Sequence, residues 1–374
     1  AFESMGKDFG PTRQLKDYHV AVARGGVGMT TLAYAAVCRS GLSFNKQLWL
    51  RPEIVPGLRE ITDAVHREGA AAAIQIGHCG NMTHWTTAGQ MPIGASTGFN
   101  LYAYTPVRGM KRREIEQVAR DFGTAVRTAR DAGFDSVEVH AGHGYLISQF
   151  LSPYTNHRHD EYGGSLENRM RFILNIIKGI KEACGEDFPV IVRLTVDECY
   201  EKIGEKGKGY TLDEGVEIAR RLEKAGIDAI DVSCAGYDTF NYWLEPVSFE
   251  PGWRKYMAKA VKDAVSIPVI AANLIRSPEQ AEQQLEDGIQ DFVSLGRPHI
   301  ADPHWTEKAI NGKTIRRCIC CLNCFESMEA NAFVGTHGEC SVNPFVGHEG
   351  DLLKKDGNGR AAVVIGAGPA GLTA

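Results

Sequence analysis

The stretch PVIVRLTVDECYEKIGEKGKGYTLDEGVEIARRLEKAGIDAIDVSCAG, residues 189–236, decides the fold. At its two ends stand "PVIVRLTVD" (189–197) and "AIDVSCAG" (229–236), short β-branched runs that are apolar on both faces. Between them the segment 212–225 has helical character and stops at Gly226, a common placing for a helix C-terminus. Strands apolar on both faces that alternate with helices imply a parallel sheet.

The unit recurs along the chain. Further runs occupy 27–35, 71–78, 136–142, 267–273 and 291–297, and helix-like segments fall at 53–69, 114–132, 165–184, 253–265 and 277–287. The opening "AFESMGKDFG" reads as the end of one more strand, cut at its start and running into a loop. Counting it gives eight βα units in about 300 residues, which fits a TIM (β/α)8 barrel over 1–312 better than a doubly wound sheet.

Composition narrows the partners. The 374 residues are 43% hydrophobic and 23% charged, with room for a large core. A net charge of -5 gives no reason to expect nucleic acid or an anionic membrane. No apolar run approaches the roughly 20 residues of a membrane span, so a cytoplasmic protein is expected. The closing "AAVVIGAGPAGLTA" (361–374) opens a strand and a glycine-rich turn of dinucleotide-binding type, with Gly366, Gly368 and Gly371, and then stops. The expectation is a piece of a longer protein whose second domain begins there.

A barrel keeps its active site where its strands end, so polar residues at those ends carry weight. Gln75 and His78 close one run, His140 and His143 the next, and Arg193, Asn273 and Arg297 close three others. Each alone could be a satisfied strand terminus; converging on one rim, they point to a site. The runs ending "AAN" (271–273) and "LGR" (295–297) suit the phosphate site that barrels often build from their last two loops.

These residues also carry a family. "VEVHAGHGYLISQFLSPYTNHRHDEYGGSLENRMRF" (137–172), "VIVRLT" (190–195) and "SLGRPHIADP" (294–303) closely resemble the Old Yellow Enzyme family of FMN-containing barrels. A cysteine loop (316–340) and the trailing "VVIGAGPAG" (363–371) narrow the resemblance to the branch with 2,4-dienoyl-CoA reductase, 2-enoate reductase and trimethylamine dehydrogenase. The resemblance implies an FMN at the barrel mouth. Ser4, Met5 and Gly6 would line the flavin, Gln75 would bond its pyrimidine edge and Arg193 would stand beside N1 and O2. Ala272, Asn273, Gly296 and Arg297 would hold its phosphate. For the substrate, His140 and His143 would hold the carbonyl oxygen of an α,β-unsaturated small molecule, and Tyr145 would protonate its α-carbon. Tyr34 and Tyr237 would line the pocket, with Tyr242 and Trp243 extending an aromatic wall. One departure stands out: dienoyl-CoA reductases carry a histidine after the sixth strand, and none occurs here between His159 and His299.

The loop "RRCICCLNCFESMEANAFVGTHGEC" (316–340) places four cysteines in seven positions and a fifth sixteen residues later. Clustered thiols in a cytoplasmic protein favour metal or redox chemistry over disulfides. Zinc is one reading, since C-x2-C pairs are its usual ligands, but it commonly joins two such hairpins. Cys318, Cys321 and Cys324, with a remote Cys340, instead form the iron-sulfur arrangement. The branch named above shares this layout, including the Asn-Pro after the fourth cysteine, and binds a 4Fe-4S cluster, which the resemblance implies for 313–350. Cys320 stands where those relatives usually have glycine. A nicotinamide gives two electrons at once and a cluster passes them singly, so an FAD and an NAD(P)H site are expected in the full-length protein. The sequence therefore predicts an NAD(P)H-dependent ene-reductase, with a homo-oligomer allowed. The alternatives are an amine dehydrogenase of the trimethylamine dehydrogenase type and a non-catalytic electron-transfer subunit.

Overall fold

The computed structural model describes residues 3–334, 337–351, 359, 361, 363–366 and 368. Its strands are β1 Met29–Ala36, β2 Ala71–Gly77, β3 Ile93–Gly94, β4 Gly98–Asn100, β5 Thr105–Gly109, β6 Ser136–Ala141, β7 Val190–Thr195, β8 Ala229–Ser233, β9 Val269–Ala271 and β10 Phe292–Val293. Seven of them form one parallel sheet in the order β1-β2-β6-β7-β8-β9-β10. Spatial order follows chain order and helices connect the strands, which is the progression of a TIM barrel. The strand expected at Ala1 begins on residues outside the described ones, and Glu3–Gly6 has no strand pairing. β3, β5 and β4 make a small separate sheet inserted between β2 and β6.

Local chemistry explains the elements. Every residue of β6 and β8 is buried, as strands of a parallel sheet covered on both faces must be. The helix Leu166–Cys184 starts where the Ser165 hydroxyl accepts from Asn168 N (3.3 Å), and Pro278–Glu286 starts in the same way at Ser277. The helix Leu212–Lys224 gives way to Gly226, whose φ of 89° a glycine adopts at no steric cost. That helix also approaches the end of β7 closely: a Cβ on Gly215 would lie 1.9 Å from the Val196 carbonyl oxygen. Phe122, Phe150 and Phe172 are fully buried, each contributing about 2 kcal/mol by removal from water.

The cysteine-bearing segment packs on the barrel. Arg316 donates to Asn343 Oδ1 (3.1 Å), and Asn343 Nδ2 donates to the Ile300 carbonyl (2.8 Å). Gln14, on the first helix, donates to His337 Nδ1 (3.0 Å) and to the Gly347 carbonyl (2.8 Å). Of the expected dinucleotide-binding turn, Gly371 lies outside the described residues. Val363, Val364 and Ile365 carry no strand pairing and are exposed, since an apolar run without neighbouring strands has nothing to bury itself against. Among the described residues no helix is long and apolar enough to cross a membrane.

Glu198, in the loop after β7, provides a test of this packing. It accepts from Ser152 Oγ (2.9 Å) and Tyr210 N (2.8 Å), and burial pushes its pKa up to about 7. The folded chain therefore holds this proton more tightly than the unfolded chain, and the stability it contributes at low pH is lost as pH rises through about 7. Glu198→Gln keeps an acceptor oxygen and cannot ionise. Thermal melts should show the variant matching wild type near pH ~5 and exceeding it in Tm near pH ~8.

Candidate active site at the barrel mouth

The floor of the site is a polar layer set by strand register. Gln75 on β2 lies opposite Glu138 on β6, while His140 on β6 lies opposite Arg193 on β7, which lies opposite Asp231 on β8. Gln75 Nε2 donates to Glu138 Oε1, and Arg193 donates to Asp231 Oδ2 at 3.0 Å. Burial, reinforced by the charge of Asp231, pushes Glu138 up to about 7. Burial also raises Asp231, with Arg193 and then Arg254 opposing it. The layer thus holds a fixed cation while one of its two carboxyls tends toward the neutral form.

Above the floor the chain turns sharply after β6. His143 and Gly144 both take left-handed backbone angles, φ 56° and 77°, which brings His143 and Tyr145 back beside His140. The His140 ring centroid is 5.3 Å from that of His143 and 5.0 Å from that of Tyr145. The two imidazoles are not equivalent. His143 is fixed by its N–H to Thr195 Oγ1 (3.0 Å), by Nε2 against Ser233 Oγ (2.7 Å) and by stacking on Trp243 at 4.7 Å. His140 Nδ1 is buried without a hydrogen-bond partner, so a ligand atom there would satisfy it. Burial, aided by the Arg193 charge, holds both rings well below the ordinary histidine range and therefore neutral.

Tyrosines enclose the space. The Tyr145 hydroxyl lies 3.3 Å from that of Tyr237. The Tyr34 ring is 5.3 Å from that of Tyr145, and its hydroxyl is held by Ser43 Oγ (2.7 Å), which makes Tyr34 a wall. Across the mouth, Tyr102 donates to the Tyr237 carbonyl (2.8 Å) and to Asp238 Oδ1 (3.2 Å), while Tyr200 donates to Asp238 Oδ2 (2.8 Å). Three rim loops meet at that carboxylate.

The other residues expected to hold a flavin stand before the first helix and after the ends of β9 and β10. Ser4 is buried with φ 57°, and Thr12 Oγ1 donates to the Met5 carbonyl (2.5 Å). Gly6 must be glycine, because a Cβ there would lie 2.4 Å from the Lys46 carbonyl oxygen. Asn273, φ 43°, follows Ala272 and turns its side chain back to donate to Gln284 Oε1 (3.1 Å) and to Gln290. Gly296 is exposed, with nothing within 4 Å of where a Cβ would stand. Arg297 instead donates to the Glu245 carbonyl (2.6 Å) and to Glu245 Oε2 (2.9 Å).

Arg297 also borders a second feature. With Ile300, Ile319, Leu322, Ser341 and Val342 it lines a small pocket shared by Cys318, Cys321, Cys324 and Cys340. Cys320 is buried to one side with φ 53°, its N–H directed at Cys318 Sγ (3.4 Å). Among the described residues no three His, Cys, Asp or Glu side chains converge closely enough for a single metal ion. The four cysteines line one pocket, and thiolates are the donors an iron-sulfur cluster would need.

Sequence reading missed Glu138, Asp231, Glu245 and Arg254. The first two left a signal: each is an acid inside an otherwise apolar β-branched run, "VEVHAG" and "AIDVSCAG". Glu245 and Arg254 lie in irregular chain, where no periodicity marks them.

Residues 2–315 match the sequence profile of the NADH:flavin oxidoreductase / NADH oxidase family. An NADH oxidase of Thermoanaerobacter brockii is 42% identical over 376 residues, covering 98% of this chain and 56% of that protein. A cinnamate reductase of Clostridium sporogenes is 33% identical over 333 residues, covering 84% of this chain and 49% of the relative. The solved structure of a 2-naphthoyl-CoA reductase with 2-naphthoyl-CoA has a TM-score of 0.86 at 29% identity, over 94% of this chain and 55% of that one. A histamine dehydrogenase from Rhizobium sp. 4-9 has a TM-score of 0.80 at 27% identity, over 91% and 49%. The chain spans about half the length of the curated relatives it matches.

The floor makes its own prediction. Arg193→Met takes from buried Asp231 the cation it is hydrogen-bonded to, leaving only the more weakly acting Arg254, and should destabilise the fold by about 3 kcal/mol, read from denaturant unfolding. The double variant Arg193→Met, Asp231→Leu, which removes both charges, should recover most of that loss.

Proposed function

The chain belongs to the NADH:flavin oxidoreductase / NADH oxidase family, and on that premise we propose that it is the FMN-dependent ene-reductase part of an NAD(P)H-using enzyme. The observation that carries this reading is the buried, unpartnered Nδ1 of His140 beside the Tyr145 ring, above the Gln75 and Arg193 floor. The substrate class is a carbon-carbon double bond conjugated to a carbonyl, of the enoate, enoyl-thioester or oxo-steroid kind. The likeness to a cinnamate reductase and to a 2-naphthoyl-CoA reductase supports it.

Ser4, Met5, Gly6, Gln75 and Arg193 would hold the flavin ring, with Ala272, Asn273, Gly296 and Arg297 around its phosphate. FMN, when bound, supplies hydride transfer to the β-carbon. The protein's own groups do the rest. His140, kept neutral by burial, donates a hydrogen bond to the carbonyl oxygen and draws charge off the double bond without protonating it. His143, held by Ser233 and Trp243, fixes the adjoining wall. Tyr145 delivers a proton to the α-carbon, with the Tyr237 hydroxyl 3.3 Å away to share the charge that develops. Arg193 places a fixed cation where negative charge would accumulate on the floor.

Cys318, Cys321, Cys324 and Cys340 are the ligands we assign to a 4Fe-4S cluster, which supplies single-electron relay. The turn at Gly366, Gly368 and Gly371 would open the FAD and NAD(P)H-binding region upstream in that relay. The likeness to a histamine dehydrogenase favours a second reading, amine oxidation with electrons running outward. Against it, the trimethylamine dehydrogenase type links its flavin covalently to a cysteine in the first-strand loop, residues 1–10 contain none, and the site presents two imidazoles.

Anaerobic stopped-flow experiments on the flavin decide between them. Enzyme reduced with NAD(P)H should be reoxidised by cinnamate or cyclohexenone with formation of the saturated product. Bleaching of the oxidised flavin by an amine, with no reoxidation by any enone, enoate or enoyl thioester, would overturn the ene-reductase reading. Tyr145→Phe should slow reoxidation by about 10²- to 10⁴-fold while ligand binding, followed by the flavin spectrum, stays close to wild type.

A further inference from the structure

Glu245 is a buried carboxylate gripped from two sides. Its Oε2 accepts from Arg297 (2.9 Å) and its backbone carbonyl from the same guanidinium (2.6 Å). On the other side Oε1 accepts from Trp253 Nε1 (3.0 Å) and pairs with Arg254 at 3.3 Å. The carboxylate side chain is 1% exposed and the two guanidiniums 15% and 7%. Two cations thus flank one carboxylate in this cluster of the barrel wall, where Arg254 also faces the charge of Asp231. Its outer end, Arg297, is among the described residues the one charged side chain lining the pocket of the four cysteines; the other walls are Ile300, Ile319, Leu322, Ser341 and Val342. Its inner end, Arg254, donates to Cys234 Sγ (3.7 Å), next to the Ser233 that holds His143.

We propose that Arg297, clamped by Glu245, sets the reduction potential of the cluster that Cys318, Cys321, Cys324 and Cys340 would hold. The inference rests on assigning those cysteines as cluster ligands. A cluster carried by four thiolates is anionic and gains one further negative charge on reduction, so a fixed cation on its pocket wall stabilises the reduced form more than the oxidised form. The clamp is what makes the charge fixed: two hydrogen bonds to one residue hold the guanidinium plane in one orientation. Arg297 is in this sense a tuning residue, and Glu245 positions it.

The test uses the full-length protein, loaded anaerobically with iron and sulfide, and follows the cluster by EPR during a potentiometric titration, with FMN content measured by absorbance. Arg297→Gln should shift the cluster midpoint to lower potential, and Arg297→Lys, which keeps the charge, should stay nearer wild type. Glu245→Asp keeps the carboxylate and shortens the clamp, so it should lower the midpoint by a smaller amount; it serves as the readout if Arg297→Gln fails to assemble a cluster. An unchanged midpoint in whichever of these two variants carries a cluster overturns the proposal. A wild-type protein that shows no 4Fe-4S signal after loading overturns it at an earlier step, by removing the assignment of the cysteines, while enone turnover by the flavin would still stand or fall on its own.

Discussion

Taking a carboxylate out of water costs several kcal/mol, and the barrel does so at Asp231, which meets the part-buried Arg193 at 3.0 Å across β7 and β8. Parallel register dictates the meeting: once Ile191 pairs with Ala229, Arg193 must stand opposite Asp231, and once Val137 pairs with Val190, His140 must stand opposite Arg193. The surrounding groups adjust to that pair. Glu138, close to Asp231, gives up much of its tendency to ionise, and the imidazoles of His140 and His143 stay uncharged beside a permanent cation. A neutral donor poised above a fixed positive charge is the electrostatic condition for polarising a carbonyl while negative charge collects beneath it.

The fold was legible because its signals are local. The segment 212–225 is the helix Leu212–Lys224, and 165–184 is Leu166–Cys184, since amphipathic periodicity and capping residues act within a few positions. The run 291–297 shrinks to Phe292–Val293, because Leu295 to Arg297 already belong to the turn and the next helix. At 363–365 a β-branched run with no strand beside it pairs with nothing among the described residues, a reminder that strand propensity is fulfilled only by neighbours.

The site was legible to the extent that it is one motif. His140, His143 and Tyr145 lie within six positions, and the turn through His143 and Gly144 brings them together locally, with Thr195, Ser233 and Trp243 then fixing His143 from distant chain. What escaped were partners joined only by the fold. Arg297 meets Glu245 across 52 residues of chain, and Asp238 receives hydroxyls from Tyr102 and Tyr200 on two other loops. Arg297 shows the cost of reading a residue through its motif alone: "LGR" suggests a phosphate ligand, while the folded chain also turns its guanidinium toward a carboxylate and a wall of thiols.

The clamp at Glu245 differs in kind from ion pairs such as Arg112 with Glu116, whose side chains are 71% and 40% exposed. Dissolved ions reach the second and not the first, so raising ionic strength weakens surface pairs while leaving the enclosed one nearly untouched. Whatever influence Arg297 and Arg254 exert on their two neighbourhoods is therefore indifferent to the salt content of the medium, a property that a link made of surface charges would not have.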